Sequence, residues 1–416
     1  MLAGLTALVI AGVSACGDGS GSSGDSAGGA TTIDVWLMRD SISAQFQKEF
    51  VAGFEKAHPD IDVKVQIQEW DGIGEKVTAA LASNDAPDVI ETGNTQVAQY
   101  AQSGGLLDLS DRTEELGGGD WLEGLAEPGA FEGKQYGIPY YAANRVVIYR
   151  TDLFERAGVD AASIKTRDQW IAATEKLDSG GTQGIYLPGQ MWYALAGFIW
   201  DEGGDLATRS GKHWRGALDT PQALRGMDFY RKLQALGKGP KDSDEAEPPQ
   251  AEVMAKGQVA QIISTPGGAN VVTENNPDLK GKLGFFPVPG KTAERPGSVF
   301  IGGSDLVVPA ASGKPEAAFT FVKEITGDAW QRKLAAAMSY VPNKTTLADA
   351  VASDPGASAM AAGAAVGRAT PNTPGWAAVE AKNPIKDYMT AVLTGADART
   401  EAARASAAIT AAMNGS

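Results

Sequence analysis

Few residues in this chain are able to make and break bonds, and the scarcity is informative. There is one cysteine, Cys16, and there are two histidines, His58 and His213. A lone cysteine closes no internal disulfide, and two imidazoles without a thiolate cluster make no zinc site. A serine or cysteine nucleophile with a histidine base would have to recruit one of those two histidines. His58 stands before Pro59, where a helix must stop, and reads as a C-terminal cap at the negative end of the helix dipole. His213 lies in a polar loop beside Trp214. Neither suits a catalytic base, and no metal or cofactor is expected. Carboxylates are plentiful at 51, so a pair spaced for glycoside hydrolysis can always be nominated. Glu69, Glu91, Asp40 and Asp305 are the nominees for a glycoside hydrolase, but their spacing favours no pair. Tryptophan is over-supplied, with nine residues.

The remaining composition narrows the setting. Lys and Arg number 36 against 51 acidic residues, a formal charge of −15 with no basic stripe, which argues against nucleic acid. A hydrophobic share of 43% and a mean hydropathy of −0.18 describe a globular protein, and the length allows two or three domains. Residues 1 to 15 are uncharged and apolar or small, too short to span a bilayer, and read as a lipoprotein signal peptide. They run into Val13-Ser14-Ala15-Cys16-Gly17, which resembles a bacterial lipobox, so Cys16 is the expected lipidation site. Residues 16 to 31 are otherwise Gly, Ser, Ala, Asp and Thr, a flexible tether. The globular part is expected outside the cell, lipid-anchored to the membrane.

Strand-like and helix-like segments alternate through that part. Residues 33 to 38 form an apolar strand, and apolar residues at 42, 46, 50, 54 and 57 follow at helical spacing. Residues 61 to 68 alternate at period two, 73 to 82 are helical, and 88 to 90 are a short strand. This β-α-β-α-β order predicts an α/β fold with a parallel sheet covered on both faces. Further strands are expected at 146 to 149, 184 to 187, 259 to 263, 283 to 286 and 306 to 308. Helices are expected at 190 to 202, 221 to 236, 315 to 325, 328 to 338 and 398 to 413. The acidic, proline-rich run at 241 to 250 reads as an exposed loop.

Ligands of open α/β sheets sit beyond the carboxyl ends of the strands. There the sequence places Asp40 and Ser41, then Glu69, Trp70 and Asp71, then Asn94, Thr95 and Gln96. Hydroxyls, amides and carboxylates beside one large ring suit a saccharide, whose hydroxyls need hydrogen-bond partners and whose C–H face stacks on an indole. Asp40 or Ser41 equally suits a cap on the first helix, and Asp71 on the second.

The stretches EKAHPDIDV (55 to 63), APDVIETGNTQVAQYAQSGGLLDL (86 to 109), YGIPYYAANRVVIYRTDLFERAG (136 to 158), FIWDEGGDL (198 to 206) and GGSDLVVPAASGKPEAAFTFVKEITGDAWQRKLA (302 to 335) together resemble the extracellular solute-binding proteins of sugar ABC importers. VWLMRDS, QEWDGIG, GQMWYALAGFIWDEGG, VFIGGSDLVV and MSYVPNKTTL further resemble the N,N'-diacetylchitobiose-binding lipoproteins of actinobacteria. The resemblance implies a periplasmic-binding-protein-like type II fold. The expected N-terminal lobe is 32 to 141 with 304 to 352, and the C-terminal lobe 142 to 303 with 353 to 416. It also implies a monomer without enzymatic activity that holds an oligosaccharide between the lobes and passes it to the permease subunits and ATPase of an importer. By the same resemblance Tyr141, Asn144, Gly303 and Ser304 on the crossings face the ligand, joined by Gln190, Trp192, Tyr193 and Trp376. Maltose-type relatives often carry tryptophan where this chain has Gly267-Gly268, so the stacking platform is expected from Trp70, Trp192 and Trp376, with room at the glycines for an N-acetyl group. The other six tryptophans are expected to serve packing.

Overall fold

The computed structural model describes residues 30–39, 41–70, 72–83 and 85–415. Cys16 with its signal peptide, Asp40 and Asp71 lie outside the described residues. The first sheet begins with β1 (Thr31–Met38), whose alternate residues Ile33, Val35 and Leu37 are buried. Helix α1 (Ala44–Ala57) places Phe46, Phe50 and Phe54 on one face and buries all three, the pattern that selects a helix packed on one side. Its cap is Ser43, which accepts from the Phe46 amide at 3.1 Å, so Ser41 is released from the capping role. His58 occupies the C-cap position as expected, its ring 4.7 Å from Phe54. Strands β2 (Ile61–Gln68) and β3 (Val89–Gly93) flank β1 in parallel register, linked through α2 (Ile73–Leu81). Helix α3 (Val97–Gln102) follows β3 after one 3-10 turn at Asn94–Gln96.

The rest of this sheet departs from the parallel expectation. Next to β3 lies Gly302–Val307, antiparallel to β3 and to Gly137–Ala143 on its other side, with Val341–Pro342 at the edge. The strand at 302–307 is a return strand, arriving from the other half of the molecule without a helical crossover, so it runs opposite to its neighbours. Its Gly303 has φ +148°, and a Cβ there would stand 2.2 Å from the Tyr141 carbonyl oxygen. Steric demand, rather than flexibility, requires glycine at that point.

The second sheet is antiparallel, with Val146–Arg150 between Gln261–Ser264 and Leu283–Phe286. The strand expected at 184–187 is reduced to single bridges, Gln183 with Val259 and Tyr186 with Ile262. The helices Trp192–Asp201, Pro221–Gln234, Gly375–Lys382, Pro384–Leu393 and Ala398–Met413 belong to this half. Separate cores mark the two lobes: Phe50, Ile138, Leu306 and Phe321 in one, Trp170, Phe198, Tyr230 and Met389 in the other.

The chain passes between lobes at Asn144 and Arg145 and again at Val299 to Gly302. Asparagine amides fix both crossings: Asn144 Nδ2 donates to the Met360 carbonyl and Asn94 Nδ2 to the Ile301 carbonyl, each at 3.1 Å. The acidic run at 241–250 is largely the exposed loop expected, up to Gln250 where a helix begins, but Ser243 to Glu245 are half-buried and tied down. Glu245 pairs with Arg145 on the first crossing, Asp244 pairs with Lys386 at 2.7 Å, and the Ser243 carbonyl accepts from the Gln190 amide at 3.0 Å. Cations from a crossing and a neighbouring helix draw the half-buried acids down.

Candidate functional site

The carboxyl ends of β1 and β3 meet at a buried carboxylate. Glu91 on β3 is fully enclosed; its Oε2 accepts from the Met38 amide at 2.8 Å and its Oε1 from Ser41 Oγ at 2.6 Å. The Tyr141 hydroxyl stands 3.2 Å from the same Oε1, and Ser304 Oγ donates to that hydroxyl at 3.2 Å. Three segments from separate parts of the chain, at 38–41, 141 and 304, thus converge on one acid. Burial raises the Glu91 pKa, while the bonds from Met38, Ser304, Ser41 and Tyr141 oppose the rise. Burial also pushes the Tyr141 hydroxyl well up, helped by the charge of Glu91. Tyr141 stacks on Tyr340 with ring centres 4.1 Å apart and planes 6° apart, and Tyr340 is half-buried. Neither Glu91 as an organiser nor Tyr340 as a stacking partner is among the expected sugar contacts. The hydrophobic pattern marks both positions as strand or loop and carries no sign of their partners.

Beside this network Trp70 is the large aromatic that remains open, 43% exposed, its indole N–H donating to the Arg39 carbonyl at 3.2 Å. The edge of its ring lies 3.8 Å from where a Cβ on Gly93 would be, an ordinary contact distance. Glu69 pairs with Arg39 at 2.6 Å, and that bond holds its carboxyl below the usual range.

The facing lobe presents rings that are already occupied. Trp192 lies 4.1 Å from Tyr193 and 6.3 Å from Trp376; Tyr193 stacks on Phe300 at 4.7 Å and has the Arg145 guanidinium over its ring at 4.5 Å. Trp376 is 0% exposed and Trp192 is 3% exposed. These two therefore do not share a stacking platform with Trp70 as expected, because each spends its faces on the lobe core. The Trp376 indole N–H instead donates to Glu380 Oε1 at 3.1 Å, and Glu380 Oε2 accepts from Thr95 Oγ1, on the other lobe, at 2.9 Å. Burial raises the Glu380 pKa, the two donors opposing it. Glu380 is absent from the expected set because only the tertiary fold brings it opposite the end of β3.

The other expected contacts sort as follows. Asn94 and Asn144 are buried backbone clamps of the crossings rather than cleft surfaces, and Ser41 and Ser304 are buried in the Glu91 network. Gln190 spends its amide on Thr390 Oγ1 at 3.0 Å, within its own lobe. Gln96 accepts from the Tyr100 hydroxyl at 2.6 Å. A Cβ on Gly267 would meet nothing within 4 Å, whereas one on Gly268 would stand 2.5 Å from Ser264 Oγ. A separate cavity of about 1150 Å³, between α3 with residues 127–133 on one side and residues 209–214 with 372–375 on the other, contains none of the expected contacts. Among the described residues no group of three or more His, Cys, Asp and Glu gathers as a metal site, and no helix is long and apolar enough to cross a membrane.

This two-lobed α/β chain matches over residues 39–332 the family of bacterial extracellular solute-binding proteins. The chain belongs to that family. Membership assigns it ligand binding for an ABC transporter rather than catalysis. It is 40% identical over 392 residues to the diacetylchitobiose binding protein DasA of Streptomyces coelicolor, covering 92% of this chain and 91% of that one. The fold is the type II one found in the sugar-binding protein MalE of Xanthomonas citri, with a TM-score of 0.82 at 21% identity over 92% of this chain and 98% of the other. The GacH receptor of Streptomyces glaucescens, whose structures include complexes with acarbose, superposes with a TM-score of 0.79 at 25% identity, covering 92% and 99%.

Proposed function

We propose that this solute-binding protein captures an N-acetylglucosamine oligosaccharide, N,N'-diacetylchitobiose or a close relative, and delivers it to the permease subunits and ATPase of an importer. The observation that carries the reading is the 40% identity to a diacetylchitobiose binding protein across 92% of the chain. Trp70, exposed beside the polar ends of β1 and β3, supplies the open ring that a pyranose face requires. In this reading Gln96, Tyr193 and Glu69 border the ligand, and Ser41, Tyr141 and Ser304 hold the floor beneath it. The lobes divide near residues 141, 303 and 352, and ligand bound to both favours the closed arrangement by its differential affinity for it. The protein works as a monomer held at the outer face of the membrane through acylated Cys16.

Titration calorimetry of the purified protein against N-acetylglucosamine, N,N'-diacetylchitobiose, cellobiose and maltose tests this reading. Saturable binding of the acetylated disaccharide, with cellobiose at least about tenfold weaker, is expected. Equal affinity for cellobiose overturns the acetyl-specific reading and the role given to the open space at Gly267.

A further inference from the structure

The bond from Thr95 Oγ1 to Glu380 Oε2 joins the 3-10 turn after β3 on one lobe to the helix Gly375–Lys382 on the other. A carboxylate offers about four acceptor positions, and two protein donors, Trp376 and Thr95, use one on each oxygen. Trp376 holds the acid from within its own lobe. Thr95 supplies a neutral hydroxyl from across the cleft, at the strand end where α/β folds place ligands. Glu380 is half-buried and flanked by Tyr193, whose hydroxyl is driven upward first by burial and next by the charge of Glu380. We propose that Glu380 is a ligand-contacting residue of this cleft, its carboxylate accepting a hydroxyl or amide N–H of the sugar in exchange for the Thr95 hydroxyl. Trp376 is then the positioning residue of that acceptor, which gives its buried indole N–H a purpose that ring stacking does not. The inference rests on the sugar-binding reading and names the group that would read the sugar's donors.

The test compares purified wild-type, Glu380→Gln and Thr95→Val proteins by calorimetric titration with N,N'-diacetylchitobiose, with a thermal melt of each. Glu380→Gln keeps an acceptor for Trp376 but loses the charge that strengthens a bond from the ligand. Its affinity is expected to fall at least about tenfold with little change in melting temperature. Thr95→Val frees an acceptor position and is expected to bind as tightly as wild type or up to about threefold tighter. Glu380→Gln binding within about twofold of wild type, or Thr95→Val losing as much affinity as Glu380→Gln, overturns the proposal. A wild-type protein that binds no sugar of the panel defeats the sugar reading itself. Small-angle scattering without sugar then judges the cross-cleft bond on its own: a larger radius of gyration for Thr95→Val supports it, and an unchanged radius overturns it.

Discussion

On the N-terminal lobe the cleft face is a hydrogen-bonded floor around Glu91, with Ser41, Tyr141 and Ser304 locked to one another and Trp70 standing open beside them. On the C-terminal lobe the face is a wall of Trp192, Tyr193, Phe300 and Trp376, rings packed on rings, with Glu380 at its edge. The polar floor is geometrically exact but brittle, since each partner satisfies another and removal of one strands the rest. The aromatic wall supplies shape and rigidity but little free ring surface. The contrast teaches that a count of tryptophans near a cleft does not measure stacking capacity; what matters is which faces the core has left uncovered.

Glu91→Ala attacks the floor directly and carries the largest expected effect. Met38 and Ser41 lose their acceptor together while the Tyr141 hydroxyl keeps Ser41 Oγ at 3.1 Å, and at about 1 to 1.5 kcal/mol for each of the two stranded donors the loss of stability is about 2 to 3 kcal/mol, read by denaturant unfolding. Unfolding at wild-type denaturant concentration would show that the floor is dispensable. Trp70→Ala removes the open ring, and a central aromatic contact is worth about 2 kcal/mol, roughly a thirtyfold loss in sugar affinity at unchanged stability. An equal loss from Trp192→Ala without destabilisation would instead return the platform to the wall.

Asp305 sharpens the contrast within the floor's own sheet. It is completely buried and neither carboxylate oxygen meets a protein donor, so burial drives its pKa well above the ordinary value, without the opposing bonds that Glu91 has. A raised acid pKa contributes stability that is fully present below the unfolded value near 3.8 and is lost as pH rises through the folded value. Asp305→Asn, neutral throughout, is therefore expected to gain on wild type as pH increases, by at least about 1 kcal/mol between pH 4 and pH 8. A gain that stays constant across melts at those two pH values contradicts this. Trp376→Phe keeps the packed ring and removes the donor to Glu380, at a cost of about 1 kcal/mol in stability. The smallest effect is expected from Trp214→Ala, on the separate cavity, where sugar affinity shifts by less than about 0.5 kcal/mol in the same titration.

Much of the scaffold was readable because its signals are local. Phe46, Phe50 and Phe54 recur at helical spacing, Ile33, Val35 and Leu37 at strand spacing, and helices 315–325, 328–338 and 398–413 fall where periodicity puts them. The site was readable only in part. Trp70 follows a strand and lies open as that position suggests, and Tyr141 and Ser304 do sit beside each other on the crossing strands. Asn144 and Trp376 lie near the expected region but face inward, because an amide on a crossing is drawn to the nearest unpaired carbonyl and a large ring to the nearest core. The acidic run at 241–250 is mostly exposed as its composition suggests, but its anchoring was not readable because the cations that hold Glu245 and Asp244, Arg145 and Lys386, lie about a hundred residues or more away in sequence.

The class of the protein is written in local patterns and composition: scarce cysteine and histidine exclude most bond-making chemistry, alternating strand and helix periods impose an α/β fold, and ordered motifs place it among solute-binding proteins. Tertiary structure alone decided which side chains meet. The reversal of the strand at 302–307, the gathering of three segments on Glu91 and the pairing of Thr95 with Glu380 all depend on contacts between residues 50 to 285 positions apart. Periodicity reports which face of an element is buried, because each element must bury its own apolar stripe. It is silent on partners that the chain brings together only by crossing between lobes.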